Sequence, residues 1–377
     1  MQQRHSFRFP LCLLCVLGAS VVIDPYDRFN TETQRTRRRH RVVQTSYGYL
    51  IDKMRTIRWG IIGCGDVTEV KSGPGFQKAD HSDLVAVMRR RGDLAKDYAE
   101  RHGVPHWYDN AAALINDSEV DAVYIATPPS SHKEYTLMSA AARKPVYVEK
   151  PMALNFGECE EMIAACRRAG VPLFVAYYRR ALPRFLKIKD LVDSGAIGEV
   201  RFVHITFYQP MTPEDQNPGT QTWRVDPAVA GGGRFVDLSS HMLDFLDYTL
   251  GPIVEVQGIA ANQAGKYKAE DIVSGTFRFA SGVQGVGTWC FSAFESRDLT
   301  EIVGTEGKIS YSTFEAQPVT VSTRDGVKEF AIEYSQHIEQ PLIQTVVNEL
   351  NGTGKCPSTG ETGARTSWVM DQMLARK

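Results

Sequence analysis

Three short segments of the chain carry residue types that can move protons. The first is Glu149-Lys150-Pro151, the second is Thr127-Pro128-Pro129 with His132, and the third runs from Gly231 through Asp237 to His241. Asp237 and His241 are four residues apart, the spacing that puts two side chains on one helical face. A histidine titrates near neutrality, so it can take a proton from a hydroxyl or return it. A carboxylate beside it can orient the ring and stabilise its charged form. Lys150, partly desolvated, can polarise a carbonyl oxygen or have its pKa lowered. Tyr178, Trp223 and Arg224 offer stacking surface and hydrogen-bond donors to a polyhydroxylated ligand. Taken singly, each segment has a plainer explanation: a rigid loop, a solvated ion pair, or a helix cap beside a half-buried histidine.

A glycine turn upstream gives these segments something to act on. The apolar run IRWGII leads into Gly63-Cys64-Gly65. A polar, helix-forming stretch follows, and a second apolar run over residues 84–88 ends in Arg89, Arg90 and Arg91. This is one βαβ unit. Gly63 permits the tight turn, and Gly65 lets backbone N–H groups approach a pyrophosphate, with Asp66 and Val67 opening the helix. Thr68 holds the third fingerprint position, where Gly or Ala is usual. NAD sites commonly place an acid at the end of the second strand, to bond the ribose hydroxyls. Here the residues are basic, and guanidinium groups bind a 2′-phosphate in a fork. The sequence predicts a dinucleotide site that prefers NADP(H) and admits NAD(H). Its expected residues are Gly63, Gly65, Asp66, Val67, Arg89, Arg90, Thr127, Pro128, His132, Glu149 and Lys150. No metal is expected.

The surrounding elements alternate. Strands are expected at residues 57–62, 84–88, 120–126, 145–148 and 171–176, with helices at 93–102, 111–116, 133–142 and 156–169. Apolar strands without alternation fit a parallel sheet covered on both faces. After residue 198 the rhythm changes, with alternating strands expected at 199–208, 254–262, 272–279, 283–290 and 300–302. Helices follow at 239–250 and 362–375. The predicted fold is α/β: an N-terminal Rossmann doubly wound parallel sheet, then a C-terminal α+β domain with a large, mostly antiparallel open sheet. Residues 54–176 are assigned to the dinucleotide-binding domain and 177–377 to a substrate-binding and oligomerisation domain, closed by the C-terminal helix. Val273, Phe277, Val286 and Trp289 suggest apolar residues on both faces of the second sheet. One face would pack on helices and the other would meet a second copy, giving a homodimer or a dimer of dimers.

Composition excludes several other classes. The 377 residues suffice for two cores, and 43 basic residues nearly balance 44 acidic ones, so neither nucleic acid nor a membrane surface is an expected partner. Seven cysteines form no disulfide-scaffold pattern, and the Cys12–Cys15 pair lacks companion zinc ligands. Residues 1–53 stand apart: arginines precede a short apolar run, and the basic tract RTRRRHR follows. They read as an export signal, an organellar leader or an upstream extension of the reading frame, the last preferred because a cytoplasmic location suits a reduced, NADP-using enzyme.

Taken together, the motifs are specific. GIIGCG at 60–65, ATPPSSH at 126–132, VEKPMA at 148–153, YYRR at 177–180, GAIGEV at 195–200, TWR at 222–224 and GGGRFVDLSSH at 231–241 with Asp244 occur in this order. From Met54 onward the chain resembles the glucose–fructose oxidoreductase, inositol dehydrogenase and rhizopine-catabolism (Gfo/Idh/MocA) family. The resemblance implies a two-domain NAD(P)-dependent oxidoreductase acting on sugars, polyols or related alcohols. It implies that Lys150 lies beside nicotinamide and substrate, and that Asp237 and His241 share the acid–base work. Some members place Tyr where His241 stands, so the sugar and inositol branch fits better. Two other classes remain open: a dinucleotide-binding redox sensor without turnover, and an epimerase- or lyase-like enzyme that recycles a tightly held cofactor.

Overall fold

The computed structural model describes residues 54–376. The expectations for residues 1–53 lie outside the described residues. Residues 55–377 group as one unit built on two sheets.

The first sheet contains β1 (Ile57–Ile62), β2 (Ser82–Met88), β3 (His106–Tyr108), β4 (Ala122–Ile125), β5 (Val146–Val148) and β6 (Leu173–Val175). All pairs are parallel, in the order β3-β2-β1-β4-β5-β6. β4 and β5 are buried throughout, because helices cover both faces. The strand order reverses between β1 and β4, which opens a crevice beyond their carboxyl ends. Gly63 follows the end of β1 directly, Thr127 lies two residues past the end of β4, and Glu149 follows the end of the neighbouring β5.

The covering helices are α1 (Asp66–Val70), α2 (Gly73–Lys78), α3 (Gly92–His102), α4 (Ala111–Asn116), α5 (His132–Ala141) and α6 (Phe156–Ala169). α6 starts where the Asn155 side chain accepts the Glu158 N–H at 3.0 Å and ends at Gly170, with φ +70. The first crossover is split into α1 and α2. Pro74 supplies no N–H to continue the helix, and a Cβ on Gly73 would run into the Thr68 carbonyl and the Tyr98 hydroxyl.

Between the sheets run α7 (Pro183–Asp193), the single turns α8 (Pro213–Gln216) and α9 (Pro227–Ala230), and α10 (Ser240–Leu250). The second sheet contains β7 (Val200–Tyr208), β8 (Ile253–Ala261), β9 (Ile272–Phe279), β10 (Gln284–Cys290), β11 (Arg297–Gly304), β12 (Gly307–Tyr311), β13 (Val319–Thr323) and β14 (Gly326–Phe330). Its order is β14-β13-β12-β11-β7-β10-β9-β8, antiparallel except for the parallel β7–β10 pair.

The two-faced apolar expectation for this sheet needs correction. Trp289 pairs with Val273 and Gly285 with Phe277, and Trp289, Val273 and Phe277 are all buried on the inner face. Val286 pairs with Thr276 and faces outward. Side chains alternate strictly along a strand, so the four residues do not divide evenly. The outer face mixes Thr, Ser and charged residues with apolar ones, of which Phe202, Val286 and Ile259 are exposed.

Two C-terminal helices, α11 (Gln340–Leu350) and α12 (Gly360–Met373), return to the first sheet. α12 packs against α6 and β6 on one side and against β8 and α10 on the other. Its start is fixed by a reciprocal Thr359–Thr362 cap. Just ahead of it, the Ser358 hydroxyl donates to the Val175 carbonyl at 2.7 Å, and Phe174 bridges Thr359. Gly258 and Gly275 lie where Met373 approaches the sheet, and a Cβ at either would collide with it. Among the described residues no helix is long and apolar enough to cross a membrane.

Candidate active site

A cleft of about 1000 Å³ runs from the glycine turn to the second sheet's helical layer. At one end Gly63 adopts φ +95, and a Cβ there would stand 2.8 Å from Thr127 Cγ2. Gly63 and Cys64 both donate to the Met88 carbonyl, at 2.8 and 3.2 Å, which ties the turn to the end of β2. The first N–H groups of α1 have no partner within the helix and are available to an anion. Thr68 fits because its hydroxyl turns back to the Gly65 carbonyl at 2.7 Å, while the Tyr98 hydroxyl bonds the Thr68 carbonyl at 2.8 Å. Cys64 is buried, and burial pushes its thiol up to about 11, so it is no nucleophile.

Gly63, Gly65, Asp66, Val67, Arg89, Arg90, Thr127, Pro128, Glu149 and Lys150 all border this cleft. Arg91 turns back to Asp93 at 2.7 Å, whereas Arg89 and Arg90 stand exposed on the rim. His132 is the exception and a correction. It is fully buried. One ring nitrogen faces the Thr127 carbonyl at 2.7 Å and the other faces the Pro151 and Met152 carbonyls at 3.1 and 3.2 Å. It ties the loop after β4 to the loop after β5, which positions two cleft walls without forming either.

At the other end, Lys150 Nζ lies 2.7 Å from Asp237 Oδ1 and 3.1 Å from the Asp237 carbonyl. The second carboxylate oxygen of Asp237 lies 3.2 Å from Arg224 Nε. Burial works to lower the Lys150 ammonium, but Asp237 and Glu149 outweigh it and hold the group above the ordinary lysine value. Of the two alternatives for Lys150, this direction favours the charged group that polarises an oxygen. Burial likewise works to raise Asp237, and Lys150, Arg224 and Arg234 outweigh it, so the carboxylate sits below its usual range. An ammonium carries three hydrogens. Two point at Asp237, which leaves one for the cleft.

His241 borders the same cleft, but the expected Asp237–His241 pair does not form. Asp237 lies in a π-helical turn, Phe235–Ser239, and both of its oxygens are engaged by cations from other segments. The His241 ring instead sits among Tyr178, Phe314 and Tyr177, with ring centroids 5.1, 6.0 and 6.2 Å away. Its Nδ1 is buried without a partner. Burial first, then Arg179, Lys150 and Lys71, push it well below the ordinary histidine value. Tyr178, Trp223 and Arg224 border the cleft as well, with the Arg224 guanidinium 4.5 Å from the Trp223 ring centroid. Sequence reasoning missed Lys71, Phe314, Arg234 and Glu339, all of which line the cleft. Arg234 stands inside the GGGRFVDLSSH segment, while no motif marks the other three.

The Gly63 cradle, the basic rim and the cleft volume fit a nicotinamide dinucleotide. The cleft lies between the carboxyl ends of the parallel sheet and the helical segment that carries Asp237 and His241. Residues 57–177 match the oxidoreductase family with an NAD-binding Rossmann fold, and residues 185–310 match the GFO/IDH/MocA C-terminal domain. The chain belongs to the Gfo/Idh/MocA family of oxidoreductases. It is 41% identical to oxidoreductase P35 of Formosa agariphila, over 84% of this chain and 97% of that protein. It is 29% identical to 1,5-anhydro-D-fructose reductase of Ensifer adhaerens, over 84% and 94%. The aldose-aldose oxidoreductase of Caulobacter crescentus, solved with glycerol, superposes with a TM-score of 0.76 at 25% identity, covering 85% of this chain and 97% of that one.

Proposed function

We propose that this chain is an NADP(H)-preferring oxidoreductase that interconverts a carbinol and a carbonyl on a sugar or polyol. The observation that carries the reading is the Lys150–Asp237 pair, which borders one cleft with His241 and the glycine turn. The dinucleotide, when bound, supplies the hydride donor or acceptor. The chain's own residues handle the proton. A hydroxyl seated against Lys150 and His241 gives its hydrogen to the neutral imidazole as the carbonyl forms, while the Lys150 ammonium holds the charge developing on oxygen. In the reverse direction the same groups return the proton. Trp223 and Arg224 offer stacking and donor groups to the remaining hydroxyls, as a polyhydroxylated ligand requires. The relatives named for sugar substrates support that substrate class.

The cofactor preference rests on Arg89 and Arg90, where a guanidinium fork suits a 2′-phosphate. The division at about residue 176 into cofactor and substrate domains follows the two sheets, with α11 and α12 packing back on the first. The five free cysteines among the described residues favour a reducing, cytoplasmic setting. A homodimer through the outer sheet face is supported by a groove of about 570 Å³ bordered by Phe202, Val286, Glu255 and Arg278. Light scattering at micromolar concentration tests it, and a monomeric mass would remove it. The central experiment is a panel of sugars and polyols assayed with NADP(H) and NAD(H), alongside fluorescence titration of both cofactors. Turnover of a carbinol or carbonyl substrate with tighter NADPH binding is expected. Cofactor binding without turnover across the panel would favour the sensor reading.

A further inference from the structure

Beside the reactive pair lies a cluster that the proton chemistry above does not use. Tyr124 comes from β4, Glu149 follows β5, and Glu339 immediately precedes α11. Tyr124 and Glu339 are fully buried and Glu149 nearly so. The Tyr124 hydroxyl lies 2.6 Å from Glu149 Oε1 and 3.3 Å from Glu339 Oε2. The other Glu149 oxygen accepts the Lys150 backbone N–H at 3.0 Å. Both carboxyl groups reach the cleft wall next to Lys150.

A phenol has one hydrogen. The short contact to Glu149 takes it. The Tyr124–Glu339 contact is then a hydrogen bond only where Glu339 supplies the hydrogen. The remaining oxygen of Glu339 agrees: it is buried and has no partner among the described residues, a setting far less costly for a neutral carbonyl oxygen than for a charged one. We propose that Glu339 keeps its proton at the working pH and acts as a positioning residue. It donates to Tyr124, Tyr124 donates to Glu149, and Glu149 holds the Lys150 backbone in place. The proposal rests on the oxidoreductase reading of the cleft.

The charged and titratable groups around Glu339 come from several elements. Glu149 and Tyr147 belong to β5 and its end, and Tyr124 to β4. Lys71 lies between α1 and α2. His337, two residues before Glu339, bonds the Val70 carbonyl and Lys78. Burial first, then Glu149 through its charge and its direct side-chain contact, push Glu339 well above the ordinary carboxylate range, with Lys71 and the Tyr124 hydroxyl opposing. Loss of the proton would set a second negative charge against Glu149 with a single phenolic hydrogen between them. The support under Lys150 would then loosen.

The test compares the unmodified enzyme with E339Q and E339L. Infrared spectra across pH should show a protonated-carboxyl band that persists at neutral pH and is missing in E339Q. A raised folded-state pKa means folding stability that is present at low pH and lost as pH rises through that pKa. E339Q should therefore flatten the fall in melting temperature that sets in once pH rises above the ordinary carboxylate value. Its amide N–H can replace the acid hydrogen, so E339Q should keep kcat within about threefold, whereas E339L should lose on the order of tenfold. Absence of the band at neutral pH, or equal damage in E339Q and E339L, would overturn the assignment. The spectra and melts do not need turnover. A band without oxidoreductase activity would sink the functional reading and leave the proton assignment standing.

Discussion

Two ion pairs differ in exposure and in the charges around them: one is sealed in the core by Asp244 of α10, and the other faces the cleft from the turn before α10. Arg180 and Asp244 form a double hydrogen bond, 2.8 Å at each contact, with side chains 2% and 1% exposed. Arg180 also bonds the Pro357 carbonyl, Thr366 bonds Asp244, and Asp247 lies 3.6 Å from the same guanidinium. This pair is rich in acid and fully engaged. Burial and the neighbouring Asp247 outweigh Arg180, so Asp244 sits above the ordinary carboxylate value. Lys150 and Asp237 face the cleft, with side chains 13% and 14% exposed. That pair is rich in cations and holds Asp237 below its usual value. Removing one partner of a sealed pair strands a buried charge. Under the proposed function, removing one partner of the cleft pair takes a charge away from a reacting oxygen.

The largest expected effect breaks the comparison at Lys150. Lys150→Met should lower kcat by roughly 10²- to 10⁴-fold with little loss of NADPH affinity. Arg180→Met should instead cost about 3–5 kcal/mol of stability. Thermal melts and steady-state kinetics on both variants check this. Equal loss of stability in the two would erase the distinction.

His241→Ala should follow, with turnover down by on the order of 10²-fold and cofactor binding unchanged. Near-normal turnover would move the proton-transfer role to Lys150 or Tyr178. Asp237→Asn should cost on the order of tenfold, and its pH profile carries the sharper signal. Asp237 is the main influence raising Lys150, which must stay protonated to act. Activity therefore falls as pH rises through the folded lysine pKa, and in Asp237→Asn that fall should begin at lower pH. An unmoved alkaline limb would show that Asp237 does not act through Lys150. The smallest effect is at the rim: Arg89→Asp should move the NADPH-to-NADH preference by about tenfold toward NADH, read by fluorescence titration. Equal affinities in the unmodified protein would remove the basis for this change.

The sequence carried the parallel sheet and the cleft's cofactor wall well, because Gly63, Arg89, Thr127 and Lys150 each follow a strand whose apolar run is unmistakable. The ends of α6 were readable from Asn155 and Gly170. What it could not carry was partnership across the chain. Asp237 and His241 look like a pair at helical spacing, yet Lys150 and Arg224 arrive from other segments and take both carboxylate oxygens. His132 sits in a motif that borders the cleft but turns inward to three carbonyls. Glu339 precedes a helix that no sequence pattern announced, and its companions Tyr124 and Glu149 come from two strands of the first sheet. α7 was missed although Pro183 opens it in the favoured first-turn position.

The return of the C-terminal chain to the first sheet has a consequence for synthesis. β6 receives hydrogen bonds from Ser358 and a bridge from Thr359, residues made after the whole second sheet. A nascent chain on the ribosome can build the strands of the parallel sheet early. It cannot close that sheet's edge, place Glu339 against Tyr124 or seat α12 against β8 until its last segments emerge. The cleft wall is thus assembled from segments far apart in the chain, and residues 54–176 alone lack Glu339 and the Ser358 contact at the sheet's edge.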